Sequence, residues 1–350
     1  MGGNLATGLA QRHPDWELVA LDNLYRPGSE LNLPRLEAAG VNFVRGDVRD
    51  LAALQELDPI DALIDCSAEP SVVAATAGDT GYAVHTNLVG AYNCLELARR
   101  DGAQLVFLST SRVYPVQPQR ELDYIDGPTR FELADGQRAP GASSEGISED
   151  FPLEGARTLY GATKLAAELL VEEYATAFGL RTVVDRCGVI AGPWQMGKVD
   201  QGVFAFWLFH HHFGLPLQYI GYGGNGKQVR DLLHVDDLVD LIEEQLADPG
   251  AWAGFKGNVG GGRECSLSLL ETTEICRELT GNDVAIDRVA EEREGDVPIY
   301  LSNCSKLFER TGWRPRRDAR EVLADIHKWT IANEAKIAEA LAIKAPMTAS

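Results

Sequence analysis

Three things are scarce in this chain of 350 residues, and each scarcity excludes a class of protein. Cysteine is one: the six residues Cys66, Cys94, Cys187, Cys265, Cys276 and Cys304 are scattered with no Cys-x-x-Cys pair. That spacing argues against a disulfide scaffold or a cysteine zinc site and suits reduced thiols in a cytoplasmic protein. Positive charge is another, because 32 Lys and Arg stand against 52 Asp and Glu, for a formal charge of −20. Such a field repels phosphate backbones and anionic lipid, so neither nucleic acid nor a membrane surface is an expected partner. A phosphorylated small molecule then needs its own local cluster of arginines. Long apolar runs are also scarce. The one long uncharged run, Gly202 to Gly226, is interrupted by His210, His211, His212, Pro216 and several glycines, so it reads as a buried helix, a strand and a turn. Nothing at the amino end reads as a secretory leader.

What is present is a globular core. With 45% hydrophobic residues the chain is too apolar for disorder, and its length suits two domains, or one α/β unit with an appendage, at roughly 150 residues per domain. WELVALDNL from Trp16 reads as a strand closing on Asp22, and VNFVRGDVRD from Val41 as one closing on Asp47, with loop and helix between Pro27 and Gly40. DALIDCSA from Asp61, a helix around Leu88 to Arg100, and QLVFLSTS from Gln104 continue the alternation. Near-continuous apolar strands alternating with helices predict a doubly wound parallel sheet, in which ligands sit beyond the carboxyl ends of the strands. Pro115 to Gly155 reads as a long surface excursion, and residues 334–350 as a fraying tail. Three histidines in succession point about 100° apart on a helix, so no metal site is expected there.

Tyr160 and Lys164 open an apolar helix at a spacing of four, which places them on one face a turn apart. That spacing alone also fits an ordinary amphipathic helix. The lysine stands out because residues 1–163 contain none. Ser109, Thr110 and Ser111 end a buried strand, where hydroxyls can equally serve a turn. Taken together, a hydroxyl that orients a substrate oxygen, a tyrosinate that takes its proton and a lysine that lowers the tyrosine pKa suit alcohol-to-ketone hydride chemistry.

At these residues the chain resembles the extended short-chain dehydrogenase/reductases, the NAD-dependent sugar-nucleotide epimerases and dehydratases, from Met1 to about Thr330. The resemblance implies a Rossmann domain over residues 1–188, a smaller α/β substrate lobe over 189–333 interwoven with it, and the tail. It implies Thr110, Tyr160 and Lys164 as catalytic residues. Around NAD it implies Gly2, Asn4, Asp22, Asn23, Asp47, Val48, Cys66, Ser67, Ala68, Asn87, Ser109 and Cys187, besides Tyr160 and Lys164. Asp22 would hold the adenosine ribose, favouring NAD over NADP. Toward the substrate it implies Asp200, Gln201, Gly202, Arg230, Arg293 and Tyr300, with the arginines clamping a diphosphate. The competing reading pairs Arg230 and Arg293 with Asp231 and Asp296 on the surface.

A narrower resemblance, in Gly192 to Gly202 and Gly224 to Asp231, is to epimerases that invert C2 of a CDP-3,6-dideoxyhexose. Dehydratases of the family carry an Asp-Glu or Ser-Glu pair directly after the threonine to eliminate water, where Ser111 and Arg112 stand here, so dehydration is disfavoured. An NAD(P)-dependent reductase and a catalytically silent NAD-binding protein are the alternatives. Relatives are commonly homodimers. The family pattern begins with a strand and a glycine-rich turn, of which Met1-Gly2-Gly3 resembles only the end. The expectation is therefore a sheet lacking its first strand, with Met1 an internal methionine of a longer reading frame and a weakened grip on NAD.

Overall fold

The computed structural model describes residues 1–70, 79–197 and 201–342. Its centre is a parallel sheet of β3 (Ala62–Asp65), β4 (Gln104–Thr110), β5 (Thr182–Cys187) and β9 (Phe255–Val259), in the order β9-β5-β4-β3. Every residue of β4 and β5 is buried. The alternation of side chains across a strand sends Leu105 and Phe107 to one face and Val106 and Leu108 to the other. Leu105 and Phe107 pack with Ala91 and Leu95 of α3 (Gly90–Asp101) and with Ala167 and Val171 of α4 (Leu159–Phe178). Val106 and Leu108 pack with Leu5 and Leu9 of α1 (Gly2–Arg12) and with Val239 and Ile242 of α6 (Val235–Ala247). Both faces are covered, which is why these strands read as unbroken apolar runs.

The parallel sheet is split. Among the described residues β1 (Val19–Asp22) pairs only with β2 (Asn42–Arg45), and β3 pairs only with β4, so the two pieces face each other across a cleft. Although the sequences VALD and ALID are apolar, these strands are only partly buried, and Val19 is 46% exposed.

The substrate lobe is built on β8 (Val229–His234), parallel to β6 (Val189–Ala191) and β12 (Ile299–Tyr300) and antiparallel to β10 (Ser266–Ser268). β7 (Leu217–Ile220) pairs in parallel with β11 (Ile286–Val289). The uncharged run from Gly202 forms the expected helix, strand and turn: α5 (Val203–His212), β7 and a 3₁₀ turn at Tyr222–Gly224. Phe204, Trp207 and Phe209 of α5 meet Cys276 of α7 (Leu269–Thr280) and Trp329 of α8 (Ala319–Ala332). Among the described residues no helix is long and apolar enough to cross a membrane.

The lobes are interwoven about residue 188, since β9 returns to the first sheet and α6 packs on α1. Two expectations need correction. The stretch from Pro115 to Gly155 is more than a surface excursion: Leu122, Phe131, Leu133, Ile147 and Phe151 pack against Val229, Val297 and Ile299 of the substrate lobe, so it is a strap joining the two halves. The tail does not fray from its start. Glu334–Ala340 is helical and fully buries Ile337; residues 343–350 lie outside the described ones.

Asp185, in the middle of β5, is wholly buried; Gln245 donates to Oδ1 at 3.0 Å, while Oδ2 has no partner. Burial pushes its carboxyl up to about 7. A carboxyl pKa raised in the folded state contributes stability that is present below its unfolded value and is lost as pH rises through the folded one. The melting temperature of Asp185→Asn relative to the parent should therefore climb between pH 5 and pH 8, by several degrees. A constant difference across that range would refute the burial argument.

Candidate active site

The site is assembled where α4 meets the end of β4. Thr158 caps α4 by accepting the Gly161 N–H at 3.2 Å. A Cβ on Gly161 would stand 2.0 Å from the Arg112 carbonyl oxygen, so only glycine lets the helix lie on the turn after β4. That approach brings Tyr160 to Thr110, whose side chain hydrogen-bonds the phenol. Burial pushes the Tyr160 hydroxyl up to about 12, opposed by the Thr110 hydrogen bond and the positive charge of Arg112. Lys164, a turn further, is 1% exposed and rests its ammonium 3.8 Å from the centroid of the Phe107 ring. Burial lowers its pKa, while Asp65 and Glu168 raise it. Arg112 thus bears on Tyr160 from one side, while Lys164 sits in the layer beneath, outside the cavity wall.

A buried polar network fixes this corner. Ser109 donates to Glu168 Oε1 at 2.5 Å, and Glu168 pairs with Arg186 at 2.8 Å, both 1% exposed. Arg186 also donates to the Tyr114 hydroxyl at 3.3 Å, which donates to Asn258 at 2.8 Å.

A cavity of about 2120 Å³ runs from Tyr160 along the carboxyl ends of the strands, through the cleft between β1 and β3, and into the substrate lobe. At one end it is lined by Asp22, Asn23, Asp47 and Val48. Asp22 spends one oxygen on the Leu24 N–H at 2.7 Å, in a turn that holds Leu24 at φ 55°. Asp47 is gripped by Arg49 and by Asn23 at 2.9 Å, which hold its carboxyl well below the usual range. Gly2, Cys66, Ser67 and Ala68 line the middle, with Ser109 and Cys187 near Tyr160. Ser67 donates to Asp65 at 2.6 Å, closing the turn after β3.

Three expected ligand residues have other tasks. Asn4 is absent from the cavity wall: it donates to the Pro193 carbonyl at 2.9 Å and accepts from Arg35 at 2.5 Å, tying α1 to the substrate lobe. Asn87 is buried and fully engaged by the Glu69 backbone and Thr163, so it positions the turn after β3 and does not face the cavity. Tyr300 is buried and does not line the large cavity; it is stacked 6.5 Å from Tyr114 and borders a small pocket shared with Arg112 and Arg230.

Gln201, Gly202, Arg230 and Arg293 line the substrate end; Asp200 lies outside the described residues. Gln201 accepts from Arg26 at 2.5 Å. Arg230 pairs with Asp296 at 2.5 Å and donates to the Val297 carbonyl, so part of the competing surface-pair reading holds, although the pair lies in the cavity wall. Asp231 takes no part in it, being wholly buried, where desolvation pushes its carboxyl up to about 6. Arg112 enters at the same place, donating to the Gly295 carbonyl at 2.8 Å. The sequence signalled Arg112 only as something other than an acid. Its position two residues after Thr110 was the available clue.

A model of the "NAD dependent epimerase/dehydratase family" matches residues 1–254. The chain belongs to that family. It is 29% identical over 340 residues to CDP-paratose 2-epimerase of Salmonella typhi, covering 94% of this chain and 96% of that protein. It is 28% identical over 332 residues to dTDP-glucose 4,6-dehydratase of Mycolicibacterium smegmatis, covering 91% and 86%. Among solved structures, DesIV, a dTDP-glucose 4,6-dehydratase of Streptomyces venezuelae determined with NAD bound, superposes with a TM-score of 0.74 at 28% identity, covering 96% of this chain and 95% of that one. UDP-glucose 4-epimerase of Thermus thermophilus in complex with NAD gives 0.74 at 26%, covering 94% and 96%.

NAD is the cofactor of this family, and the residues present fit its two ends. The Asp22 carboxylate stands exposed at the end of β1, suited to ribose hydroxyls, and Tyr160 and Thr110 border the other end of the same cavity. Between them the first turn of α1 has no side-chain cap, leaving N–H groups there to donate to an anion.

In an open helix, Gly→Ala gains about 1 kcal/mol. At Gly161 the clash with Arg112 reverses that sign. Gly161→Ala should destabilise the protein by about 1–3 kcal/mol in urea unfolding. A neutral or stabilising result would contradict the close approach of helix and turn.

Proposed function

We propose that this protein is an NAD-dependent epimerase that inverts C2 of a CDP-3,6-dideoxyhexose. The observation that carries the reading is Arg112. It is a cation at the reacting end of the cavity, in the position following Ser111 where a dehydrating enzyme needs an acid to expel water. Similarity to CDP-paratose 2-epimerase over nearly the whole chain supports the substrate class.

Tyr160, as tyrosinate, takes the proton of the sugar hydroxyl while Thr110 holds that oxygen. Arg112 stabilises the phenolate, and Lys164 adds a second positive charge from the layer below. Arg230, oriented by Asp296, and Arg293 face the diphosphate. NAD, when bound, would supply a reversible hydride acceptor, so that the reaction needs no net oxidation. The keto sugar presents its other face before Tyr160 returns the proton. Since Tyr160 works deprotonated and burial raises its pKa, turnover should rise with pH, and removing the Arg112 charge should displace that limb to higher pH.

The test is interconversion of a CDP-3,6-dideoxyhexose with its C2 epimer in D₂O, followed by NMR. Epimerisation with the C2 hydrogen retained and no net NADH is the expected result. Net consumption of NAD(P)H would favour the reductase instead. Tyr160→Phe should abolish turnover while leaving NAD affinity within about twofold, and substantial residual activity would remove Tyr160 from its role. Arg112→Leu should shift the alkaline-going limb upward by about one unit, with no shift if Arg112 is only structural.

The split sheet favours a second reading, a silent NAD-binding protein, which predicts folded protein with bound NAD and no turnover on any nucleotide sugar. We also infer pairing of two copies through α3 and α4, whose outer faces expose Tyr92, Leu169 and Phe178. Leu169→Glu should then give a monomer in sedimentation; a parent that already sediments as a monomer would dismiss the pairing.

A further inference from the structure

Side chains from three separate segments close a circle of contacts at the end of the cavity where Asp22 stands. Asn23, after β1, donates to Asp47 Oδ2 at 2.9 Å and accepts the Tyr25 N–H at 3.0 Å. Asp47, after β2, takes both arms of the Arg49 fork, at 2.9 and 2.7 Å. The Arg49 guanidinium lies 4.7 Å over the ring of Tyr82, on the short helix Thr80–Val84. The Tyr82 ring meets that of Tyr25 at 4.7 Å between centroids, tilted by 33°, which completes the circle. Asn23, Tyr25, Asp47 and Tyr82 all line the cavity. Tyr25 is 64% exposed, so burial does not explain a large aromatic side chain there.

We propose that Tyr25 and Tyr82 form a gate over the adenosine end of the cavity, which parts to admit NAD and closes to retain it; the proposal rests on the reading that Asp22 marks that end. The joins of the circle differ in kind. Asn23, Asp47 and Arg49 are linked by hydrogen bonds and by a charge pair, whereas the tyrosines meet through their rings, so the circle opens most easily between them. The backbone around each is pinned: Asp22 accepts the Leu24 N–H, Asn23 the Tyr25 N–H and Asp79 the Tyr82 N–H. Opening therefore falls to rotation of the tyrosine side chains between staggered positions, while the strands stay in place.

Such a gate suits a reaction that borrows a hydride and returns it. Loss of the reduced cofactor between the two halves would strand a keto sugar with nothing to reduce it. Arg49 gives the closed position a fixed seat, because its fork is locked on Asp47 while its flat face is turned to Tyr82.

The test follows NADH fluorescence in stopped flow, recording association on mixing and release on displacement by excess NAD. A gate governs passage in both directions. Tyr25→Ala and Tyr82→Ala should each speed association and release together by about tenfold, leaving Kd within about threefold of the parent. Tyr82→Phe keeps the ring and should follow the parent. Faster release without faster association would make the tyrosines ordinary contacts of the cofactor and overturn the gate, as would parent rates in both alanine variants. Asp22→Ala separates the two possible failures. Unchanged NADH affinity in that variant removes the adenosine end from Asp22, and the proposal falls with it; a loss of affinity beside parent rates in the alanine variants refutes the gate alone.

Discussion

Everything around Tyr160 depends on one buried pair of charges, Glu168 and Arg186. Two ions at 1% exposure are costly to desolvate, and their attraction compensates only when the remaining hydrogen-bonding positions are filled. Here they are filled by Ser109 and Tyr114, which are themselves anchored on β4 and, through Asn258, on β9. The consequence is positional. Three strands and α4 are locked in one register, because slipping any of them strands a charge in the core. Gly161 then converts that register into chemistry by letting α4 touch the turn of Arg112, which sets the distance between Tyr160 and Thr110.

The same economy is not seen at β1 and β3. The halves of the sheet are held together indirectly, through α1, which touches β1 and packs on β4 together with α6. The adenosine end, at Asp22 and Asp47, thus sits on a different piece of sheet from the reacting end at Tyr160. Precision at Tyr160 comes from a dense polar network, whereas precision at Asp22 comes from local turns such as the one closed by the Leu24 N–H.

Much of this was legible in the residues. β4 and β5 announced themselves because burial on both faces demands unbroken apolar sequence, and the pairing of Tyr160 with Thr110 follows from strand end and helix start. The split sheet was legible as well, since no apolar strand run precedes Gly2 in these 350 residues. What the sequence hid were residues whose chemistry is spent on protein partners. Asn4 and Asn87 look like ligand groups by type and place, yet their amides are saturated by Pro193, Arg35, Glu69 and Thr163. Arg112 was half visible: its position two residues after Thr110 marked it as a non-acid, while a lone arginine in a turn carries no periodic signal of what it touches. The strap from Pro115 to Gly155 was misread because its polar, Gly- and Pro-rich composition conceals five apolar side chains that bury against a distant part of the chain.

The link between α1 and the substrate lobe ties the two halves of the cavity at one point. Asn4 holds Pro193, and the Arg35 guanidinium lies 4.5 Å over the ring of Trp194, whose backbone sits at φ 68° in the left-handed region. Arg35 also grips Asn4 itself, so one guanidinium serves both sides of the joint. A change at the start of α1 is thus felt first at the Pro193–Trp194 turn, as a hinge pin feels the door.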